Sequence, residues 1–281
     1  MNKIICDDTL SALQSMSNDT IDMGVTSPPY NKQENKKGWL VKNVKYDTAC
    51  DKLPENDYQA QQIKILDELY RTIKPGGSFF YNHKIRWERG ELLHPMSWLS
   101  QTNWTIRQEI VWDRGLAANI RGWRFWQVEE RIYWLYKPIS NQKIGTELLS
   151  KHAKLTSIWR FMPEGKNPHP APFPLTLPLR AIYAIMDKNK GTIIDPYAGS
   201  GTTLLAAKLL GHDYIGIDIS KEYIDMANDR INNYQSERNI LEREIEKHKV
   251  KVSSAERKKQ NKNQGKFSPQ NKNKHKQTRL F

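Results

Sequence analysis

Thr192-Ile193-Ile194-Asp195-Pro196-Tyr197-Ala198-Gly199-Ser200-Gly201-Thr202-Thr203 runs from an apolar strand, through an acid, into a Gly-x-Gly turn and the start of a helix. Glycines let the backbone come close to a ligand, and a helix N-terminus offers unpaired N–H groups. The turn carries no lysine, which disfavours a phosphate-binding loop and ATP hydrolysis. About twenty residues on, Tyr214-Ile215-Gly216-Ile217-Asp218 is a second strand ending in an acid, the place where an open α/β sheet holds two ribose hydroxyls. The plainer reading of Asp218 is an N-cap for the helix that follows.

Outward from this pair, 174–187, 202–210 and 220–246 have helical spacing, the last as one long charged helix. Upstream, 2–5, 21–26 and 77–82 read as short buried strands, with a helix at 9–16 and another at 57–73 that Lys74-Pro75-Gly76-Gly77 closes. Residues 104–112 and 128–136 alternate as two further strands, and 140–168 is polar and irregular. Strands alternating with helices predict an α/β fold: a doubly wound, mainly parallel sheet covered on both faces.

Positions 195–203 match throughout the cofactor motif D-P-[FY]-x-G-S-G-T-T of the DNA amino-methyltransferases, and residues 1–235 resemble that family. The resemblance implies a Rossmann-like methyltransferase fold with S-adenosylmethionine (SAM) as cofactor. It assigns SAM binding to Asp195, Pro196, Tyr197, Gly199, Ser200, Gly201, Thr202 and Asp218. His169-Pro170-Ala171-Pro172-Phe173-Pro174 resembles the family's other SAM-contacting segment, which adds His169, Pro170 and Phe173. Asp8 matches a family acid near the adenine amino group of SAM; otherwise it caps the helix at 9–16.

Ser27-Pro28-Pro29-Tyr30 matches the family's catalytic tetrapeptide [DNS]-P-P-[YFW]. An exocyclic amine is a poor nucleophile because its lone pair is delocalised into the ring. Acceptors holding its two hydrogens, here Ser27 Oγ and the Pro28 carbonyl, favour a pyramidal nitrogen aimed at the methyl group. Pro29 and Pro28 fix the backbone, and Tyr30 offers an aromatic face to a base turned out of the duplex. Carbon-5 methylation is excluded, because neither Cys6 nor Cys50 follows a proline as that family's thiolate does. Serine at the first position resembles the cytosine-N4 subgroup, with adenine N6 the alternative. The tetrapeptide precedes the glycine motif, which resembles the family's β arrangement, a circular permutation of the same sheet. Asn82-His83-Lys84 ends a strand near the cleft, where His83 either shapes the base pocket or is a satisfied terminal polar residue.

The net charge is +13, and residues 247–281 hold twelve Lys/Arg against one acid. A solvated basic tail of that kind attracts nucleic acid. Within the body, Arg114, Arg121 and Arg124 lie among Trp123, Phe125 and Trp126, a pattern that fits contact with double-stranded DNA. Lys151 and Arg160, with His152, Lys154 and Trp159, make 140–168 the expected target-recognition insertion. The organisation expected is a catalytic half at 1–139, the insertion at 140–168, a SAM half at 169–246 and the tail at 247–281. The chain ends Gln277-Thr278-Arg279-Leu280-Phe281, and Gln277, Leu280 and Phe281 resemble the peptide that docks on the replication sliding clamp. Two cysteines give neither a disulfide framework nor a zinc set, and the opening MNKIICDD lacks a secretory pattern. The expected place is the cytoplasm, on the nucleoid of a prokaryote or phage.

Overall fold

The strand leading to Asp195 lies inside an eight-stranded sheet. The computed structural model describes residues 2–31, 53–117, 120–140, 156–164, 173–187 and 189–248, all within one unit, Met1–His248. The strands are β1 (Lys3–Cys6), β2 (Ile21–Thr26), β3 (Ile73–His83), β6 (Thr105–Asp113), β7 (Glu129–Tyr136), β8 (Ile158–Arg160), β9 (Thr192–Asp195) and β10 (Asp213–Asp218), with a separate hairpin of β4 (Arg86–Glu88) and β5 (Glu91–Leu93). The order in the large sheet is β1-β10-β9-β2-β3-β7-β6-β8. Strands β1 to β3 across that order are parallel, β7 is antiparallel to β3 and β6, and β8 is parallel to β6. Among the described strands only β7 runs against the rest, so the mainly parallel sheet is as expected.

Successive side chains alternate between two cores, as the period of two in a strand requires. Phe79, Tyr133 and Ile194 pack with α1 (Thr9–Gln14), α2 (Glu55–Thr72) and α3 (Met96–Leu99). Phe80, Trp134 and Ile193 pack on the other face with α4 (Thr176–Met186) and α5 (Thr202–Leu210). With both faces covered, the central strands read as apolar runs rather than clean alternations.

Three elements differ from the sequence reading. First, Lys74-Pro75-Gly76-Gly77 lies inside β3 rather than outside it. Between the pairs Ile21↔Ile73 and Met23↔Ser78 the register shifts, and the bulge accommodates the proline, which has no N–H. Gly76 sits at φ 85°, where a side chain would be strained.

Second, the helix expected over 220–246 breaks into α6 (Lys221–Asn232) and α7 (Arg238–His248) around a 3-10 turn at Tyr234–Glu237. Arg230 spans the break, its Nε and Nη2 donating to Glu237 at 2.7 and 2.9 Å. Helix α7 then returns to α4, where Arg180 Nε donates to buried Glu244 at 2.6 Å.

Third, the segment expected to be irregular contributes β8. Trp159, read above as part of the recognition surface, is only 3 % exposed and belongs to the core beside Phe80 and Trp134. A three-residue strand is too short to show a period. The β4–β5 hairpin also lacked a sequence signal beyond its Arg89-Gly90 turn, where both residues have positive φ.

Gly24 sets the spacing at the centre. A Cβ there would meet Phe79 Cδ2 at 2.5 Å and Ile194 Cγ2 at 2.9 Å. Gly24→Ala should therefore cost about 1–3 kcal/mol through overpacking. Urea unfolding checks this: the midpoint should fall with an unchanged m-value.

Candidate active site

The described motif residues gather at one end of the sheet, beyond the carboxyl ends of β1, β10, β9, β2, β3 and β6, beside the start of β7. Open α/β sheets bind ligands in that crevice, where the strand order switches direction. Strands β9 and β2 are neighbours there. Thr26 Oγ1, at the end of β2, donates to Asp195 Oδ1, at the end of β9, at 2.7 Å. That bond, with the one from Thr203 Oγ1 to the Val25 carbonyl at 3.2 Å, joins the tetrapeptide segment to the glycine motif.

The loop itself is held open. Gly199 and Gly201 have φ of 48° and 76°, and a Cβ on Gly201 would come within 2.8 Å of Ala227 Cβ. Gly201 is also the N-cap of α5, with no side chain to bond the first N–H groups of the helix. Thr9 Oγ1 holds the Pro196 carbonyl at 2.8 Å, and Arg230 Nη1 reaches Thr202 Oγ1 at 2.9 Å. Asp195 is fully buried. Burial raises its carboxyl to about 7, against the opposing pull of the Thr26 and Thr203 hydroxyls and the Tyr197 N–H.

Asp218 does not cap the following helix. Ser220 does, its Oγ accepting from Tyr223 N. Asp218 instead receives Gly199 N–H at 2.8 Å and Ser220 N–H at 3.0 Å, and burial lifts its pKa. Asp8 does cap α1, its Oδ1 accepting from Ser11 N at 3.1 Å. It also stands at the crevice, next to Asp7, whose N–H donates to the Asp218 carbonyl. A glycine loop, a bare helix start and a carboxylate at the next strand end suit a nucleoside-bearing ligand such as SAM.

Around the tetrapeptide the polar groups interlock. Ser27 Oγ lies 2.6 Å from Tyr30 Oη, which donates to Glu130 Oε2 at 2.9 Å. Asn82 Nδ2 donates to Tyr30 Oη at 2.7 Å, to Glu130 Oε2 at 3.0 Å and to Ser27 Oγ at 3.2 Å. Arg114 Nη1 closes the set on Glu130 Oε1 at 3.1 Å. On the other side, Tyr58 Oη donates to the Pro29 carbonyl at 2.8 Å and contacts His83 Nε2 at 2.7 Å. The ring of His83 sits 4.7 Å from that of Tyr30.

Arg114, expected on the exposed link to DNA, is 9 % exposed and faces inward as the partner of Glu130. The rest of the link remains outside: Phe125 is 98 % exposed, and Trp123 and Trp126 are exposed too. Arg124 lies over the Trp87 ring at 4.0 Å, and Arg121 Nη1 donates to the neighbouring Ile120 carbonyl at 3.3 Å. Arg160 is exposed on β8 and pairs with Asp113 at 3.2 Å. Phe173 is buried in the core with α4. Lys151, His169, Pro170, Gln277, Leu280 and Phe281 lie outside the described residues.

Glu130 escaped the sequence reading, although a signal was there. It falls on the buried phase of β7, shared with Ile132 and Trp134. An acid in that phase needs a partner. Among the described residues no group of three metal-ligating side chains occurs, and no helix is long and apolar enough to cross a membrane.

Comparison with known proteins agrees with this geometry. The family model described as DNA methylase, covering the N6 and N4 enzymes, matches residues 21–229. The chain belongs to that family. It is therefore a DNA amino-methyltransferase that uses SAM. Among its relatives, the type II methyltransferase M.HpaI of Haemophilus parainfluenzae is 29 % identical over 255 residues, covering 82 % of this chain and 74 % of its own. M.BglII of Bacillus subtilis, also a type II methyltransferase, is 28 % identical over 270 residues, covering 81 % and 68 %. Solved structures share the fold at lower identity. The PvuII DNA methyltransferase (cytosine-N4-specific) gives a TM-score of 0.63 at 17 % identity, covering 85 % of this chain and 92 % of that one. A DNA modification methylase from Thermus thermophilus, complexed with S-adenosyl-L-methionine, gives 0.59 at 21 %, covering 83 % and 94 %.

The buried Asp195 has a pH signature in the methyltransferase without ligand. Its folded pKa of about 7 exceeds the unfolded value near 4, so the folded state keeps a proton that the unfolded chain releases. Stability is lost as pH rises through this window and levels off above the folded pKa. Asp195→Asn removes the titration, so wild type should lose about 2–3 kcal/mol relative to the variant between pH 5 and 8. Chemical denaturation at several pH values reads this directly, and parallel curves for the two proteins would refute it.

Proposed function

We propose that this methyltransferase acts on cytosine N4, in a base turned out of duplex DNA into the space beside Ser27 and Tyr30. The serine at the first position of the tetrapeptide carries the choice of cytosine, and the 2.7 Å bond from Thr26 to Asp195 supports its placement against the loop suited to SAM. SAM, when bound, supplies an electrophilic methyl group. The chain's part is positioning, with no covalent intermediate. Ser27 Oγ and the Pro28 carbonyl accept the two amino hydrogens, Pro29 is held through its carbonyl by Tyr58, and the Tyr30 ring lies along the base.

On the cofactor side, Asp218 takes ribose hydroxyls and Asp8 the adenine amino group. The loop of Asp195, Pro196, Tyr197, Gly199, Ser200, Gly201 and Thr202 surrounds the donor, with His169, Pro170 and Phe173 from the second segment. We read the order, β2 before β9, as the permuted β arrangement.

Arg121 and Arg124, on the exposed aromatic link, and Arg160, at the sheet edge, are the arginines suited to DNA phosphates, together with Lys151. Residues 140–168 remain our candidate for target recognition. Docking on the sliding clamp by Gln277, Leu280 and Phe281 rests on the tail motif alone.

Two measurements test the reading. Asp218→Ala should weaken SAM binding by roughly 1.5–3 kcal/mol, the worth of hydrogen bonds to a charged group; unchanged affinity by calorimetry removes Asp218 from the site. Mass analysis of nucleosides from DNA of cells expressing the protein should yield N4-methylcytosine. N6-methyladenine instead would keep the chemistry and overturn the base.

A further inference from the structure

Glu130 is a carboxylate held among donors, and a carboxylate can only accept. This fixes the direction of every proton around it. Tyr30 Oη approaches Glu130 Oε2 at 2.9 Å, so its single proton points to Glu130. Ser27 Oγ, 2.6 Å from the same Tyr30 oxygen, then has to be the donor in that contact. Asn82 presents Nδ2 to Glu130, which leaves its Oδ1 on the opposite arm of the amide, buried and with no hydrogen-bond partner among the described residues. Arg114 secures the carboxylate from behind through Oε1.

We propose that Glu130 is a positioning residue that makes this pocket selective for amino over carbonyl bases. It commits the Ser27 proton to Tyr30, so Ser27 Oγ turns only a lone pair toward an incoming base, with the Pro28 carbonyl as the second acceptor. An exocyclic amine donates to both. A base with a carbonyl at that position brings an acceptor against acceptors, which leaves buried groups unpaired. The inference rests on the placement of the target amine at Ser27 given above.

The experiment compares binding of two duplexes containing the enzyme's own site, found by sequencing modified DNA from expressing cells. One carries the natural target base, the other its deaminated counterpart, uracil for cytosine or hypoxanthine for adenine. Wild type should prefer the amino base by roughly tenfold or more. In Glu130→Gln the donor-only Arg114 takes the amide oxygen, which turns Nε2 onto Tyr30 Oη and reverses that proton. Tyr30→Phe keeps the ring but removes the hydroxyl that holds the Ser27 proton.

Both variants should lose most of the amino preference and turn over roughly tenfold or more slowly, with SAM affinity unchanged. Should Glu130→Gln lose SAM binding and fail to fold, Tyr30→Phe decides alone. If the preference stays at its wild-type value in the folded variants while Ser27→Ala abolishes methylation, Glu130 has no such role and the assignment of Ser27 stands. If Ser27→Ala methylates at the wild-type rate, the placement at Ser27 falls and this inference falls with it.

Discussion

The hydrogen bond from Thr26 to Asp195 is the constraint on which the site depends. It lies at the carboxyl ends of two neighbouring parallel strands that are distant in the chain, and it fixes the offset between them where the register of the ladder stops. Burying an acid is costly, and its raised pKa records that cost. What offsets it is a set of donors from both strand ends: the Thr26 hydroxyl on β2, and the Tyr197 N–H and Thr203 hydroxyl beyond β9. Donors from the two strand ends converge on Asp195 Oδ1 and hold the glycine loop and the tetrapeptide at one separation, which in-line transfer requires.

Strand β7 supplies the other half of the pocket. Because it runs against its neighbours, its first residues, rather than its last, reach the crevice. That reversal brings Glu130 within hydrogen-bond reach of Asn82 near the end of β3 and Arg114 just past β6. Ser27, Asn82, Glu130 and Arg114 continue the same alternation as Val25, Phe80, Ile132 and Trp112, so the polar network is the outer margin of the α4–α5 core. Such a network is stiff when its members are paired.

The charge is distributed with a similar division of labour. Most of the excess lies in the last 35 residues, so the body is nearly neutral and its DNA face depends on few, placed cations. The link after β6 carries the exposed Trp123, Phe125 and Trp126 next to the mouth of the pocket, a concentration of apolar surface that solvent alone does not favour. Long-range attraction and local fit are thereby assigned to different parts of the chain.

The glycine loop, the tetrapeptide and the two strand-end acids were legible in the sequence because each is local: residue types at fixed spacing impose a turn, a helix start or a strand end. The same locality placed most strands and the mainly parallel sheet. Local pattern could not show that Arg230 would break the expected helix at 220–246 by gripping Glu237, nor that three residues around Trp159 would add a sheet edge. It left Asp218 between two readings until Ser220 took the cap. It sent Arg114 to the surface, because a lone arginine near aromatics carries no mark of the acid that pairs with it sixteen residues later. The sequence determined which chemical groups stand at the strand ends. The tertiary structure decided which of them share protons, since that depends on register and strand direction between segments distant in the chain.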